Sequence, residues 1–435
     1  MVFNQKRNRF FTSDAAQQLR DAQPDDTNKV AAIVVMVGFV LRLSWVVLGS
    51  WTSGDSPQYV VLARNIVFNH VYSLQEGTVA LTPSAYRPPL YSALIAMFWW
   101  GETAPIAAVL FFQAVLGTAT VALVYLIARR HFNRTIALLA ALGMALAPMS
   151  IRFTGVVLTE TLFTFLLTLG IALWGERRPA WAGVAFGLGA LTRATILPFL
   201  IALPLLALLP AWRPYWRRYV LITLMALLVS SVWIARNAVV FGKFIPIAAS
   251  GWGAGVLAGS IETKFVGDDV FTALLKDPAF KLDEPVADET EVDRLMMRRA
   301  LKRIKDNPLR WLFVRAKQYP RLFMDSGDYL LGSHNVTFGQ ALRKPRPLVV
   351  LVKVAFMLGN LLFMLLVAYG LYVERKRFVE LSHLWLFPLF LLLAQLPFWI
   401  EARYSLPIVP VMIIFAAVGV ASFVGDDERP DELKA

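Results

Sequence analysis

A small set of charged side chains stands at the borders of the hydrophobic runs in this chain. The acidic members are Asp55, Glu160 and Glu401, and the basic ones are Arg87, Arg193, Arg236 and Arg403, with Asn237 and Tyr404 beside them. Ionisable groups at membrane depth are expensive, so they line a cavity or pair with one another. Carboxylates among several arginines suit an anionic, phosphorylated ligand, because the guanidinium fork matches phosphate geometry. These residues come from the whole length of the chain, so the elements between them decide whether they meet.

Those elements are membrane helices. Of 435 residues, 57% are hydrophobic, against roughly 45–50% in soluble domains. The excess sits in blocks such as Val30–Leu41, Ile136–Ala147, Val349–Tyr372 and Leu384–Ile400. A run of about 20 apolar residues crosses the hydrocarbon core, and many such runs predict an all-α polytopic bundle. The short alternating segments of a membrane β-barrel are absent. The net charge of +13 lies largely in short loops between apolar runs. That is the positive-inside pattern, not a nucleic-acid surface. There is no cysteine, hence no disulfide framework and no thiolate metal site. Residues 1–29 read as a cytoplasmic tail, and Val30–Trp51 as an uncleaved first span rather than a signal peptide.

The expected core is 30–241, with a first external loop over 52–103. Tyr59, Leu62, Ala63 and Ile66 fall at helical spacing there, predicting an amphipathic juxtamembrane helix. Arg87-Pro88-Pro89-Leu90-Tyr91 opens a second short helix, with proline in the first turn. Further spans are expected near 104–127, 135–150, 157–174 and 219–240. The stretch 180–210 would measure roughly 46 Å as one helix, too long for a single crossing, and Thr192-Arg193 interrupts it. Two short helices meeting at Arg193 on the outer side solve both problems. They also bring Arg213, Arg217, Arg218 and Arg375-Lys376-Arg377 inside. A basic external segment, 242–347, should hold a helix near Glu291–Lys305 and another starting at Pro308 with Asn307 as its cap. The C-terminal spans 348–373, 383–400 and 405–424 fill 348–424, and a cytoplasmic tail of 425–435 follows. That makes about ten membrane helices. No inverted repeat is evident. With this topology every candidate group lies near one outer face. Arg42, inside the first span, reads as structural. His70, His131, His334 and His383 are scattered, which argues against a histidine metal site. Asp325, Asp328 and Tyr329 read as external surface.

The runs Gly54-Asp55-Ser56-Pro57-Gln58-Tyr59, Ala63-Arg64-Asn65 and Tyr86-Arg87-Pro88-Pro89-Leu90-Tyr91 resemble the GT-C glycosyltransferases. Within that class the chain is most similar to the bacterial relatives of protein O-mannosyltransferases and lipid A aminoarabinose transferases. Leu158-Thr159-Glu160, Leu191-Thr192-Arg193, Trp233-Ile234-Ala235-Arg236-Asn237 and Arg403-Tyr404-Ser405-Leu406-Pro407 extend the likeness over about residues 30–424. The chain departs from the aminoarabinose transferases in having fewer spans and no large C-terminal external domain, so their acceptor does not carry over. It has no Gly-rich phosphate loop between strand and helix.

The resemblance implies an inverting transfer of a sugar from a polyprenyl-phosphate donor to a lipid, glycan or protein acceptor. The protein would sit in the cell inner membrane, with its active site on the periplasmic side. It implies Asp55 as catalytic base and Glu160 as a second acid, with Arg87, Arg193, Arg236, Arg403 and Tyr404 binding the donor phosphate. No cofactor is fixed by the resemblance, since some relatives use metals and others do not; a divalent cation held by Asp55 and Glu160 is left open. Membrane lipids are expected partners and nucleic acid is not. The competing function is a transporter or flippase for a lipid-linked anion, which would need polar groups on both sides and discontinuous helices at the midplane.

Overall fold

The computed structural model describes residues 26–49, 53–77, 81–249, 251–262, 277–280, 289–324, 327 and 347–425. The expectations for Asp325, Asp328, Tyr329 and His334, and most of both tails, lie outside the described residues. Within them the chain is helical, without strands.

Helix α1 is Asp26–Leu48. The first external loop carries α2, Ser56–Asn69, and α3, Pro89–Met97. There follow α4 (Ile106–His131), α5 (Arg134–Leu146), α6 (Pro148–Thr154) and α7 (Glu160–Gly175). Next come α8 (Pro179–Thr192), α9 (Leu197–Ala202) and α10 (Trp216–Phe241). The external segment contributes α11 (Trp252–Gly259), α12 (Glu289–Asp306) and α13 (Pro308–Gln318). The chain ends on α14 (Pro347–Val373), α15 (Ser382–Ala394) and α16 (Val409–Val424). Among the described residues five helices are long and apolar enough to cross a membrane, or six if the bent pair α5–α6 is one span. The shorter apolar helices α7, α8 and α15, with the segment Ala194–Leu208, complete the bundle of a multi-pass membrane protein.

The expected single span at 135–150 is broken by 49° between α5 and α6. Pro148 has no N–H to donate and restricts the residue before it. The carbonyls freed at Met144 and Ala145 accept from Arg42, which is fully buried and also donates to Gly38 O and Ser150 Oγ. A charge inside the first span thus satisfies a broken helix, as buried polar groups in lipid must be satisfied. The expected helix at 383–400 ends at Ala394, and the last span opens with a 3-10 turn, Ala402–Ile408.

The hairpin expected at 180–210 is present. On α8, a Cβ added to Gly183 would meet Ile222 O at 2.5 Å, and one added to Gly187 would meet Ala226 O at 2.8 Å. So α8 runs alongside α10 in the same direction, at a distance only glycine allows. The chain then leaves helical geometry at Arg193 (φ −146°, ψ 119°) and returns, so that Leu200 O accepts from Thr223 Oγ1. Arg193 is therefore the tip. At the opposite end of the bundle, Arg377 donates to His131 O and pairs with Glu374 and Glu380, and Arg130 faces Glu176. The two ends are separated by buried apolar side chains including Leu167, Phe186, Leu200 and Phe387.

Candidate active site

Asp55 follows α1 in a tight turn, with Ser53 N donating to Ser56 Oγ at 2.9 Å. It occupies the N-cap position of α2, yet its side chain makes no cap hydrogen bond. Its carboxylate faces Arg87 instead, whose Nη2 donates to Oδ1 at 2.7 Å, while Arg403 reaches Oδ2 at 3.4 Å. Burial pushes the Asp55 carboxyl upward. Arg87, Arg403 and Arg193 outweigh that and hold it below its ordinary value of 3.8.

Arg87 is oriented from several sides. Its Nε donates to Gln58 Oε1 at 2.8 Å, and its guanidinium lies over the rings of Tyr59 and Tyr86 at 5.4 and 5.2 Å. Tyr72 Oη donates to the carbonyls of Arg87 and Pro88, fixing the turn into α3.

Glu160 begins α7 at 2% side-chain exposure and forms an ion pair with Arg193 Nη1 at 3.1 Å. Arg403 Nη1 stands 3.8 Å from the same Glu160 oxygen, and Arg403 Nε lies 2.6 Å from Glu401. Arg403 thus bridges Asp55, Glu160 and Glu401. Tyr404 presents its ring to both Arg193 and Arg403, at 5.5 and 5.4 Å.

Asp55, Arg87, Glu160, Arg193, Arg403 and Tyr404 all line one cavity of about 450 Å³. Its remaining wall is largely apolar: Pro198 beyond the hairpin tip, Phe390 and Leu391 of α15, then Trp252, Phe398 and Trp399. The charged cluster therefore opens onto a surface suited to a hydrophobic chain.

Arg236, expected among the phosphate ligands, is not brought into the cluster. It is absent from the cavity wall. It donates to Ser84 O and Asn237 Oδ1 and lies over Trp233 at 4.6 Å, tying α10 to the first external loop. Guanidinium groups stand on the carboxylates of both Asp55 and Glu160, and among the described residues no group of three or more acidic, His or Cys side chains could hold a metal.

Two supports were not visible in the sequence. Glu289, at the start of α12, accepts from Ser84 Oγ at 2.7 Å and Ala85 N at 3.0 Å, two residues before Arg87. One turn later Asp293 accepts from Gly251 N and Gly253 N, which flank the cavity residue Trp252. One face of α12 thus braces two walls. Nothing near either side chain in sequence marks it, because their partners lie 40 to 205 positions away. The same distance hid the approach of His131 and His383, whose Nε2 atoms lie 3.0 Å apart at the opposite end.

Residues 86–235 match the family model described as dolichyl-phosphate-mannose-protein mannosyltransferase. No curated protein matches the sequence. Among solved structures, the Archaeoglobus fulgidus oligosaccharyltransferase in complex with Zn and sulfate aligns at TM-score 0.51 and 17% identity, covering 91% of this chain and 49% of that one. The archaeal oligosaccharyltransferase AglB from the same organism, in complex with an inhibitory peptide and a dolichol-phosphate, aligns at TM-score 0.52 and 16% identity over 92% and 51%. ArnT from Cupriavidus metallidurans bound to undecaprenyl phosphate aligns at 0.42 and 14% over 92% and 79%. The chain spans about half the length of the oligosaccharyltransferases it resembles. It has the fold of the GT-C glycosyltransferases, and its mannosyltransferase match covers the segment that carries Arg87, Glu160 and Arg193.

Proposed function

We propose that this protein transfers a sugar from a polyprenyl-phosphate donor to an acceptor hydroxyl in the cavity lined by Asp55 and Arg403. The observation that carries the reading is the sharing of guanidinium groups. Arg87 and Arg403 sit on Asp55, in a cavity whose other wall is apolar. A lipid phosphate entering along that wall competes with Asp55 for the same arginines. Once they turn to the phosphate, Asp55 is released to accept a proton, and its affinity for that proton rises. The dolichol-phosphate held by AglB is a ligand of this chemical kind.

The step balances as a single displacement. The acceptor oxygen bonds to the anomeric carbon and its proton passes to Asp55. The bond from the anomeric carbon to the phosphate oxygen breaks, and its electron pair leaves with the polyprenyl phosphate. Arg87, Arg193 and Arg403 stabilise the charge that develops there. Attack opposite the leaving group inverts the anomeric centre. Glu160, held by Arg193 and Arg403, keeps those cations in place. The residues belong to the end of the bundle that the positive-inside reading puts on the periplasmic face of the inner membrane. The apolar core between the two ends favours this reading over a transport path.

The test is purified protein in defined lipid, offered a panel of polyprenyl-phosphate sugars and scored for release of polyprenyl phosphate. Release with one donor supports the reading. Movement of intact lipid-linked sugar across the bilayer, without release, would replace it with the transporter.

A further inference from the structure

Helix α13 is built inside out for a helix in water. Two of its polar side chains point into the protein: Arg315, 2% exposed, donates to Gly259 O and Gln318 Oε1, and Gln318 donates to Ile261 O. Its outward face carries Leu309, Leu312 and Phe313, exposed by 79%, 58% and 62%. Their spacing of three and four residues makes a single apolar stripe. Such a stripe marks a contact surface.

The surroundings indicate what covers it. The chain leaving α13 is fastened to the bundle where Tyr319 Oη donates to Leu392 O of α15 at 2.6 Å. Beside that point Leu389, Leu393 and Leu396 are exposed on the outside of an apolar helix and the turn after it, where lipid must lie. The chain leaving α13 therefore joins the bundle beside that lipid-facing surface. Arg310 on α13 pairs with Glu262 at 3.8 Å, and the preceding helix α12 exposes Arg298, Lys302 and Lys305. The three on α12 have no ion-pair partner among the described residues. An apolar stripe on one helix and unpaired cations on the helix joined to it fit a membrane surface bearing negative headgroups.

We infer that α13 lies in the headgroup layer of the leaflet at the active-site end, with Leu309, Leu312 and Phe313 among the acyl chains of anionic phospholipids. This anchors the external segment, whose α12 braces the cavity through Glu289 and Asp293, to the bilayer that presents a lipid donor.

The chain has no cysteine, so Leu309→Cys, Leu312→Cys and Phe313→Cys can each be spin-labelled in the intact protein, with Glu291→Cys as an aqueous control. Each is reconstituted in phosphatidylglycerol–phosphatidylethanolamine vesicles and in phosphatidylcholine vesicles. In the anionic vesicles, collisions with oxygen should exceed those with a water-soluble nickel chelate several-fold at 309, 312 and 313, with the order reversed at 291. The labels should sit shallower in phosphatidylcholine. Nickel-dominated collisions at 309, 312 and 313 would overturn the proposal. Exclusion of both reagents there would do the same, pointing to a second copy on this face. Equal depth in both lipids would overturn the anionic assignment. None of these outcomes depends on sugar transfer.

Discussion

Removing Arg193 should destabilise the protein more than removing the negative charge of its partner. Glu160 is 2% exposed and Arg193 22%, so the two ends of the pair differ in what they can do alone. In Arg193→Ala, Glu160 keeps a long hydrogen bond from Thr159 Oγ1 at 3.5 Å and Arg403 at 3.8 Å, the latter shared with Asp55 and Glu401. A buried pair broken outright costs about 3–5 kcal/mol, and the remaining partner reduces that to roughly 2–3 kcal/mol. In Glu160→Gln, Arg193 still reaches solvent and the rings of Phe163 and Tyr404. The expected cost is about 1 kcal/mol, near that of one hydrogen bond. The double variant should recover part of the loss, with a coupling of about 1–2 kcal/mol. Unfolding of the purified protein in mixed micelles, followed by tryptophan fluorescence, supplies all four corners of the cycle. Additivity within about 0.5 kcal/mol, or a larger loss from Glu160→Gln than from Arg193→Ala, would refute the reasoning.

Arg87→Ala should weaken donor binding and Arg87→Lys restore part of it, since lysine keeps the charge but loses the fork; unchanged affinity in Arg87→Ala would leave this residue an interfacial anchor. Glu289→Gln replaces one carboxylate acceptor of the Ser84–Ala85 brace with an NH₂ group, so hydrogen exchange at residues 81–88 should rise and the KM for donor increase, with kcat less affected; unchanged exchange would contradict the brace. The Asp55 carboxyl is held below 3.8 in the folded protein. Its ion pairs are therefore present above the unfolded value and lost only as pH falls through the folded one. The ratio kcat/KM, which reports the free enzyme, should be flat from about pH 6 to 8, where an ordinary carboxylate is already ionised; an acid limb of kcat/KM near neutrality, absent from Asp55→Asn, would contradict this.

Much of this arrangement was legible because lipid restricts what a charge can do. The clash between Arg193 and a single long helix predicted the hairpin, and the basic ends of α4, α7 and α14 predicted which groups share a face. Asp55, Arg87, Glu160, Arg193 and Arg403 had to find each other, and they do. Asn307 was readable as a cap from its place before Pro308, and its side chain accepts from Arg310 N. Outside the hydrocarbon that restriction is absent. Arg236 met Ser84 and Trp233 rather than the cluster, and Glu289 and Asp293 became braces. Water would have served each of these side chains equally well, so their sequence carried no sign of a partner. One span was expected over 135–150, and only the burial of Arg42 explains how the carbonyls freed at the Pro148 break are satisfied.

The central claim rests on Asp55, and one paired measurement tests it: donor affinity and turnover on the same preparation of Asp55→Asn. Asparagine is nearly isosteric and keeps an acceptor oxygen for Arg87, but it cannot take the acceptor's proton. The variant should fold, insert and bind a polyprenyl-phosphate sugar, yet release polyprenyl phosphate at least about 100-fold more slowly, the low end of what a general base contributes. Near-normal turnover would contradict the account and leave Asp55 as an ion-pair partner for Arg87 and Arg403.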